Sequence, residues 1–268
     1  MATTLKEMAQ EYRPKSLEHP NCPLCGHQKH RPHEKFGPDH RYTYVQCKNC
    51  DLVYLNPRPT YDEEFLSIAY DAYVLDHHHV LEKGNLNADE QQHVEHNMQQ
   101  IEQMEKILGK KGRMLDIGCA TGLFLLAAKK RGWETYGVDI SKPMVHFMKE
   151  TFEIAGSAGQ FQELKQLEGE TFDVIYCSHV IEHIPNPNEW LKKFKQHLRP
   201  GGIVYLQIPN QYAPDKKFKR LLKRMGLKKD NWELWRTPDH LFEPHLGPMK
   251  KAIEKAGYRA EQVTDVLH

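Results

Sequence analysis

From residue 113 to residue 210 the chain alternates between short apolar runs and amphipathic stretches, and few architectures accept that pattern. "RMLDI" leads through the glycine-bearing turn "GCATG" into the helical "LFLLAAKKRG". "ETYGVDIS" then precedes "KPMVHFMKETFEIAG", and "FDVIYCS" precedes "PNEWLKKFKQHLRPGG" and "GIVYLQIPN". Strands of this length alternating with helices argue a parallel sheet wound on both faces, so the predicted fold class is α/β with a doubly wound Rossmann-like sheet. In such sheets a ligand sits beyond the carboxyl ends of the strands, where strand order reverses.

Three features indicate the ligand. Gly118 and Gly122 let the backbone pass close to a bound group, and the helix that follows offers free amide donors. Asp139 closes the second strand, where a carboxylate accepts hydrogen bonds from the hydroxyls of a ribose. Asp116 lies in the first strand-turn, where a carboxylate suits a cationic group such as the ammonium of an amino acid. The spacing is G-x-x-x-G with no basic residue inside the turn; a dinucleotide site needs a third glycine and a pyrophosphate at the helix end.

Near the start, "CPLCG" and "CKNCD" place Cys22, Cys25, Cys47 and Cys50 as two C-x-x-C pairs. Four thiolates from two tight turns suit tetrahedral zinc, and a site filled by four cysteines leaves no open position for catalysis. Gly26 follows the first pair where the turn needs a permissive backbone, and "RYTYVQC" alternates like a strand. The unit reads as a structural zinc ribbon that needs its metal to fold. Further on, "YDEEFLSIAYDAYVL" is an aromatic amphipathic helix. A second helix has Asn87 as N-cap, Glu90 three residues on, and Gly109 at its end. Its stripe of Val94, Met98, Ile101, Met104 and Leu108 reads as core packing, and the histidine run at 76–80 as solvated surface. The resulting division is a ribbon over 1–60, a helical linker or lid over 61–110, and the sheet domain over 111–268.

Thirty-seven Lys and Arg against 36 Asp and Glu leave a net charge of +1, so no global charge draws the chain to nucleic acid or an anionic membrane. Neither a signal peptide nor a run of membrane-spanning length is visible, which predicts a cytoplasmic protein without membrane partners.

"CSHVIEHIPNP", residues 177–187, contains the inverted zinc-protease pattern H-x-x-E-H. A protease needs that pattern inside a long helix; here it follows a buried strand at once and meets Pro185 two residues later, so about one turn is available. His179, Glu182 and His183 are then expected on one face of a short turn at a strand's carboxyl end. There, His179 or His183 serves as general base, with Glu182 fixing the imidazole, or the same side chains only pack or touch a cofactor.

"LDIGCATGLFLLAAKKRGWETYGVDIS" resembles the S-adenosylmethionine-binding half of class I methyltransferases. "FDVIYCSHVIEHIPNPNEWLKKFKQHLRPGGIVYLQIPN" resembles the fourth and fifth strands of that family, and the likeness continues through "TPDHLFEPHLGPMKKAIEKAGY". The ribbon followed by "LVYLNPRP" is similar to a bacterial subgroup linked to sugar, polysaccharide or secondary-metabolite modification. The resemblance implies that Asp116, Gly118, Cys119, Ala120 and Gly122 surround the methionine end of the cofactor, with Asp139 and Ile140 at the ribose. It also implies that Ser178 and His179 approach from the fourth strand, and that Tyr70 and Tyr73 close over the site. Related enzymes carry E-x-x-E-H at this corner and bind a divalent ion, which here implies an ion at His179, Glu182 and His183. Two departures stand out: "AGQFQELKQL" lacks the family's acidic adenine contact, and "YRAEQVTDVLH" leaves no room for a full final hairpin.

The expected function is methyl transfer to a small-molecule acceptor such as a sugar or secondary metabolite. The alternatives are an RNA methyltransferase using the ribbon and the basic segment 216–229, and a non-catalytic cofactor-binding subunit. Trp232 and Trp235 either line a substrate pocket or anchor a lid.

Overall fold

The structure is a computed structural model that describes residues 14–36, 41–61, 86–210, 222, 225 and 238–260. All but the first residue of the expected helix at 61–75, with Tyr70 and Tyr73, the histidine run, most of the basic segment, Trp232, Trp235 and the last eight residues lie outside the described residues.

In chain order the first elements are β1 (Leu17–Glu18), β2 (His30–Phe36), β3 (Tyr42–Cys47), β4 (Val53–Leu55) and β5 (Arg58–Pro59). Then come α1 (Ala88–Leu108), β6 (Arg113–Ile117), α2 (Leu123–Lys130), β7 (Glu134–Asp139), α3 (Lys142–Phe152) and β8 (Ala155–Ala158). The rest are β9 (Phe172–Ser178), α4 (Pro187–Gln196), β10 (Leu198–Gln207), β11 (Phe242–Glu243) and α5 (Leu246–Lys255). These residues form two compact units. The described residues within 76–180 and 190–207 make the sheet unit; those within 1–75, 181–189 and 208–268 make the ribbon unit.

The sheet unit holds five parallel strands in the order β10-β9-β6-β7-β8. The chain winds outward from β6 through β7 to β8, then returns to β9 on the other side of β6. Strand order therefore reverses between β6 and β9, where Ile117 is paired with Cys177. β8 reads "AGSA", small residues with no apolar signature, and the sequence pattern runs the preceding helix through it. Its pairing with β7 makes it a strand, and a Cβ on Gly156 would stand 2.6 Å from the Gly137 carbonyl. α1 begins with the expected capping box: the Asn87 side chain accepts from Glu90 N, and Glu90 accepts from Asn87 N. It ends at Gly109 in the left-handed conformation. Val94, Ile101 and Met104 are buried in one cluster with Met114, Phe124, Leu125 and Val174, and Met98 and Leu108 lie against it. The expected linker helix is thus part of the core under the sheet.

The ribbon unit is built around an antiparallel sheet of order β11-β4-β3-β2, with β1 and β5 paired separately. β11 comes from the far end of the chain: Phe242 pairs with Tyr54 and Glu243 with Val53. Leu52, Val53, Tyr54 and Leu55 are all buried, as are Leu241 and Phe242. The cut differs from the division 1–60, 61–110 and 111–268 because β4 is apolar along its whole length and takes its second neighbour from residues 242–243. No helix among the described residues is long and apolar enough to cross a membrane.

Candidate functional site

The turn between β6 and α2 is held by backbone. Gly118 N and Cys119 N both donate to Val138 O on β7, at 2.8 and 3.1 Å, and Gly122 N donates to Cys119 O at 2.8 Å. Gly118, Ala120 and Gly122 all have positive φ, at 80°, 48° and 84°. Glycine carries this conformation without penalty, and two further contacts demand it here. A Cβ on Gly118 would collide with Val180 Cγ2, and one on Gly122 would lie 2.5 Å from Met148 Cγ. α2 starts at Gly122 without a side-chain cap.

Two carboxylates face different tasks around this turn. Asp139 accepts from Ala120 N at 2.8 Å and from Ser141 N at 2.9 Å, tying the end of β7 to the glycine turn and to the start of α3. Burial raises its pKa, and these backbone amides pull it back in part. Asp116 is 2% exposed, and its Oδ1 has no hydrogen-bond partner among the described residues. Burial alone pushes it up to about 8. A buried carboxylate oxygen without a donor, beside a glycine-lined turn, fits an incoming ammonium such as that of S-adenosylmethionine. Cys119 is buried next to it, its thiol raised chiefly by burial and then by Asp116.

Across the strand-order reversal, β9 ends at Ser178 and His179. His179 has φ 53° and donates its backbone N–H to Gln207 O at 2.9 Å. The helical turn beyond it covers only Ile181–His183. The left-handed backbone at His179 thus precedes the turn that carries Glu182 and His183. His179 belongs to the sheet unit, whereas Glu182 and His183 belong to the ribbon unit. The turn is too short for a protease helix, as its sequence context predicts.

In the ribbon unit a different trio assembles. Glu182, His183 and His240 bring a carboxylate oxygen and two ring nitrogens within 4.8 Å of one another. Glu182 is fully buried. His183 Nδ1 meets Asp239 O at 2.8 Å, and the His183 and His240 rings stand edge to face with centroids 4.8 Å apart. Glu243 lies 3.7 Å from His240 Nδ1. A carbonyl can only accept, so His183 carries its proton on Nδ1 and presents a lone pair on Nε2. In the neutral ring that nitrogen can take a proton or a cation. Sequence reasoning missed His240; its one signal is a histidine directly before Leu241–Phe242, the second of which opens β11.

The four ribbon cysteines also converge within 4.8 Å. Cys22 Sγ and Cys50 Sγ are 3.5 Å apart, and Cys25 Sγ and Cys47 Sγ 3.6 Å. A disulfide needs about 2.05 Å, while thiolates about 2.3 Å from a tetrahedral zinc lie roughly 3.8 Å from each other. The spacing fits zinc. Both turns share one construction: Gly26 N donates to Cys22 O and Asp51 N to Cys47 O, with φ 74° at Gly26 and 63° at Asp51. Aspartate tolerates that backbone better than most residues with a Cβ. The four cysteines can therefore hold a structural ion.

A family model described as a methyltransferase domain matches residues 86–263. The ubiquinone biosynthesis O-methyltransferase of Coxiella burnetii is 30% identical over 115 residues, which are 41% of this chain and 48% of that protein. Its counterpart from Dechloromonas aromatica is 32% identical over 117 residues, 41% and 49% of the two chains. The chain thus spans about half the length of the curated relatives it matches. Among solved structures, the plantazolicin methyltransferase BpumL in complex with S-adenosylhomocysteine is similar with a TM-score of 0.54 and 14% identity, over 73% of this chain and 72% of that one. With the family model matching residues 86–263, about two thirds of the chain, the chain belongs to the S-adenosylmethionine-dependent methyltransferase domain family.

Proposed function

We propose that the protein transfers a methyl group to a hydroxyl of a small-molecule acceptor, with His183 as the general base. The observation that carries this reading is the bond between His183 Nδ1 and Asp239 O, which fixes the ring and leaves Nε2 as a proton acceptor. The O-methyltransferase names of the curated relatives support an oxygen nucleophile. S-adenosylmethionine, when bound, supplies an electrophilic methyl on a sulfonium. Asp116 holds its ammonium, Asp139 and Ile140 its ribose, and the turn Gly118–Cys119–Ala120–Gly122 lets the backbone close on it, with Ser178 and His179 at the neighbouring strand end. His183 takes the acceptor's proton, and Glu182 and His240 set the charge around that ring. Cys22, Cys25, Cys47 and Cys50 hold a structural zinc.

The trio of Glu182, His183 and His240 supports a second reading, in which the same nitrogen binds a divalent ion. Two imidazoles and a carboxylate suit zinc or another borderline cation. Full activity of the protein with its four cysteines loaded, unchanged when Mg²⁺, Mn²⁺ or Zn²⁺ is added, favours the base.

The deciding experiment supplies tritiated-methyl cofactor to the protein with cell extract split into RNA, protein and small-molecule fractions. Label in the small-molecule fraction is expected, and label in RNA would replace the proposed acceptor class. His183→Ala should lower transfer at least about a hundredfold while S-adenosylhomocysteine binds as before; undiminished transfer removes His183 from the chemistry.

A further inference from the structure

The zinc ribbon looks like an appendage in the sequence, yet hydrogen bonds from its strands β3 and β4 brace the His183 corner. Tyr44, on the central ribbon strand β3, is 1% exposed and donates its hydroxyl to His240 O at 2.9 Å. Leu55, closing β4, donates its N–H to Leu241 O at 2.9 Å. Leu241 in turn donates to Glu182 O at 2.9 Å. The segment Asp239–Leu241 is therefore fastened on one side to β3 and β4 and on the other to Glu182 and His183. His183 takes its tautomer from the Asp239 carbonyl in that same segment. A further bond, His245 Nε2 to Asp51 O at 3.3 Å, ties the start of α5 to the second cysteine turn. β3 ends at Cys47, and the Cys47–Cys50 turn connects it to β4. The strands that carry the brace are those the metal turn joins.

We infer that the ribbon is a positioning element for the proposed reaction: with its four cysteines loaded, β3 and β4 hold Asp239–Leu241 so that His183 keeps one tautomer, and Tyr44 is the side chain through which this is read out. The inference rests on the assignment of His183 as base. It assigns the ribbon no contact with substrate, cofactor or reacting atoms. Its physical basis is that a small ribbon has too little core to stay ordered once its metal leaves. The brace then goes with it, while the cluster that supports the sheet unit draws on none of these residues.

The test reads histidine tautomers by nitrogen-15 NMR on the full-length chain, with His183 and His240 assigned from His183→Gln and His240→Gln. Zinc content is measured in parallel, and S-adenosylhomocysteine titration reports on the sheet unit. In the zinc-loaded protein His183 should show a single protonated-Nδ1 tautomer. Stripping zinc, or Cys47→Ser, should average it to the mixed pattern of a free imidazole, with S-adenosylhomocysteine affinity changed less than about threefold. Tyr44→Phe, which keeps the ring and the zinc, should shift the His240 and His183 signals and admit roughly five- to tenfold more of the minor tautomer, the ratio expected when one ordinary hydrogen bond is lost. A His183 signal indifferent to both zinc and Tyr44→Phe overturns the inference. Should Cys47→Ser abolish S-adenosylhomocysteine binding, the ribbon is a general folding requirement; the positioning role then stands or falls with Tyr44→Phe. None of these signals depends on turnover, so the inference can fail while His183 remains the base, and the reverse.

Discussion

The glycine turn proposed to hold the cofactor runs over seven consecutive residues, Asp116–Gly122, and takes one further group, Asp139, from the adjacent strand. The corner around His183 draws on three stretches: Tyr44 and Leu55 in the ribbon, Glu182 and His183 after β9, and Asp239–Leu241 near the other end of the chain. The first is shaped by local backbone, three residues with positive φ and paired amides on Val138 O. The second exists only once residues about two hundred positions apart have met, as in the bond between Tyr44 and His240. A local site survives damage elsewhere and fails through its own backbone. An assembled site fails whenever any of its three contributors is displaced.

The sharpest break of that contrast comes from Gly122→Ala. The new methyl would stand 2.5 Å from Met148 Cγ and 2.9 Å from Sδ, on a residue already at φ 84°. Left-handed backbone costs about 1–2 kcal/mol for a residue with a Cβ, and overpacking a filled site typically about 1–3 kcal/mol more. S-adenosylhomocysteine affinity should drop at least about a hundredfold as the turn shifts to relieve these terms. The His183 tautomer, fixed in the ribbon unit, should not respond. A calorimetric titration and one NMR spectrum decide it, and a turn that accepts alanine with full affinity would show the backbone there to be far less constrained than its contacts require.

A smaller effect tests the chemistry of the same turn. Burial pushes Asp116 up to about 8, against 3.8 for an ordinary aspartate. Between those values the cofactor-free folded protein holds a proton that the unfolded chain has released, so its stability falls as pH rises through that window, by up to ~1.4 kcal/mol per pH unit. A bound ammonium favours the charged carboxylate and displaces the proton. Cofactor affinity should therefore climb with pH, by up to about tenfold per unit, and level off near 8. Asp116→Asn should flatten that profile, weaken binding, and raise the melting temperature of the cofactor-free protein at pH 8 more than at pH 5. Binding heats in two buffers of different ionisation enthalpy count the released proton directly; none released would mean that Asp116 is already charged before the cofactor arrives.

The same contrast explains what was readable in the chain. The glycine turn, Asp139, the two cysteine turns and the ends of α1 are each written within a few residues, in types chosen for backbone conformation or metal chemistry. β8 was not, because "AGSA" carries no apolar signal and is a strand only through its pairing with β7. β11 is two residues long, and its partner lies at Val53–Tyr54, so no local pattern marks it. With β11 went the pairing of residues 242–243 with the ribbon, and His240. The left-handed backbone at His179 was equally unmarked, because the residue that adopts it is not a glycine.

The mildest perturbation concerns the element whose ends were most legible. Asn87 and Glu90 satisfy each other's backbone amides at 2.9 and 2.7 Å at the start of α1. Asn87→Ala removes the side-chain acceptor and leaves Glu90 N without its cap, at a cost of about 1 kcal/mol. In a chain of this size that corresponds to roughly 2–4 °C in melting temperature. Because Val94, Ile101 and Met104 stay buried in the core cluster and the helix still packs against α2 and β10, the loss should stay at that level. S-adenosylhomocysteine affinity should be unchanged, since no residue of α1 has been placed in the cofactor turn. A drop of many degrees would mean that the capping box nucleates the sheet unit rather than trimming its edge, and α1 would then belong with the assembled parts of the molecule instead of the locally encoded ones.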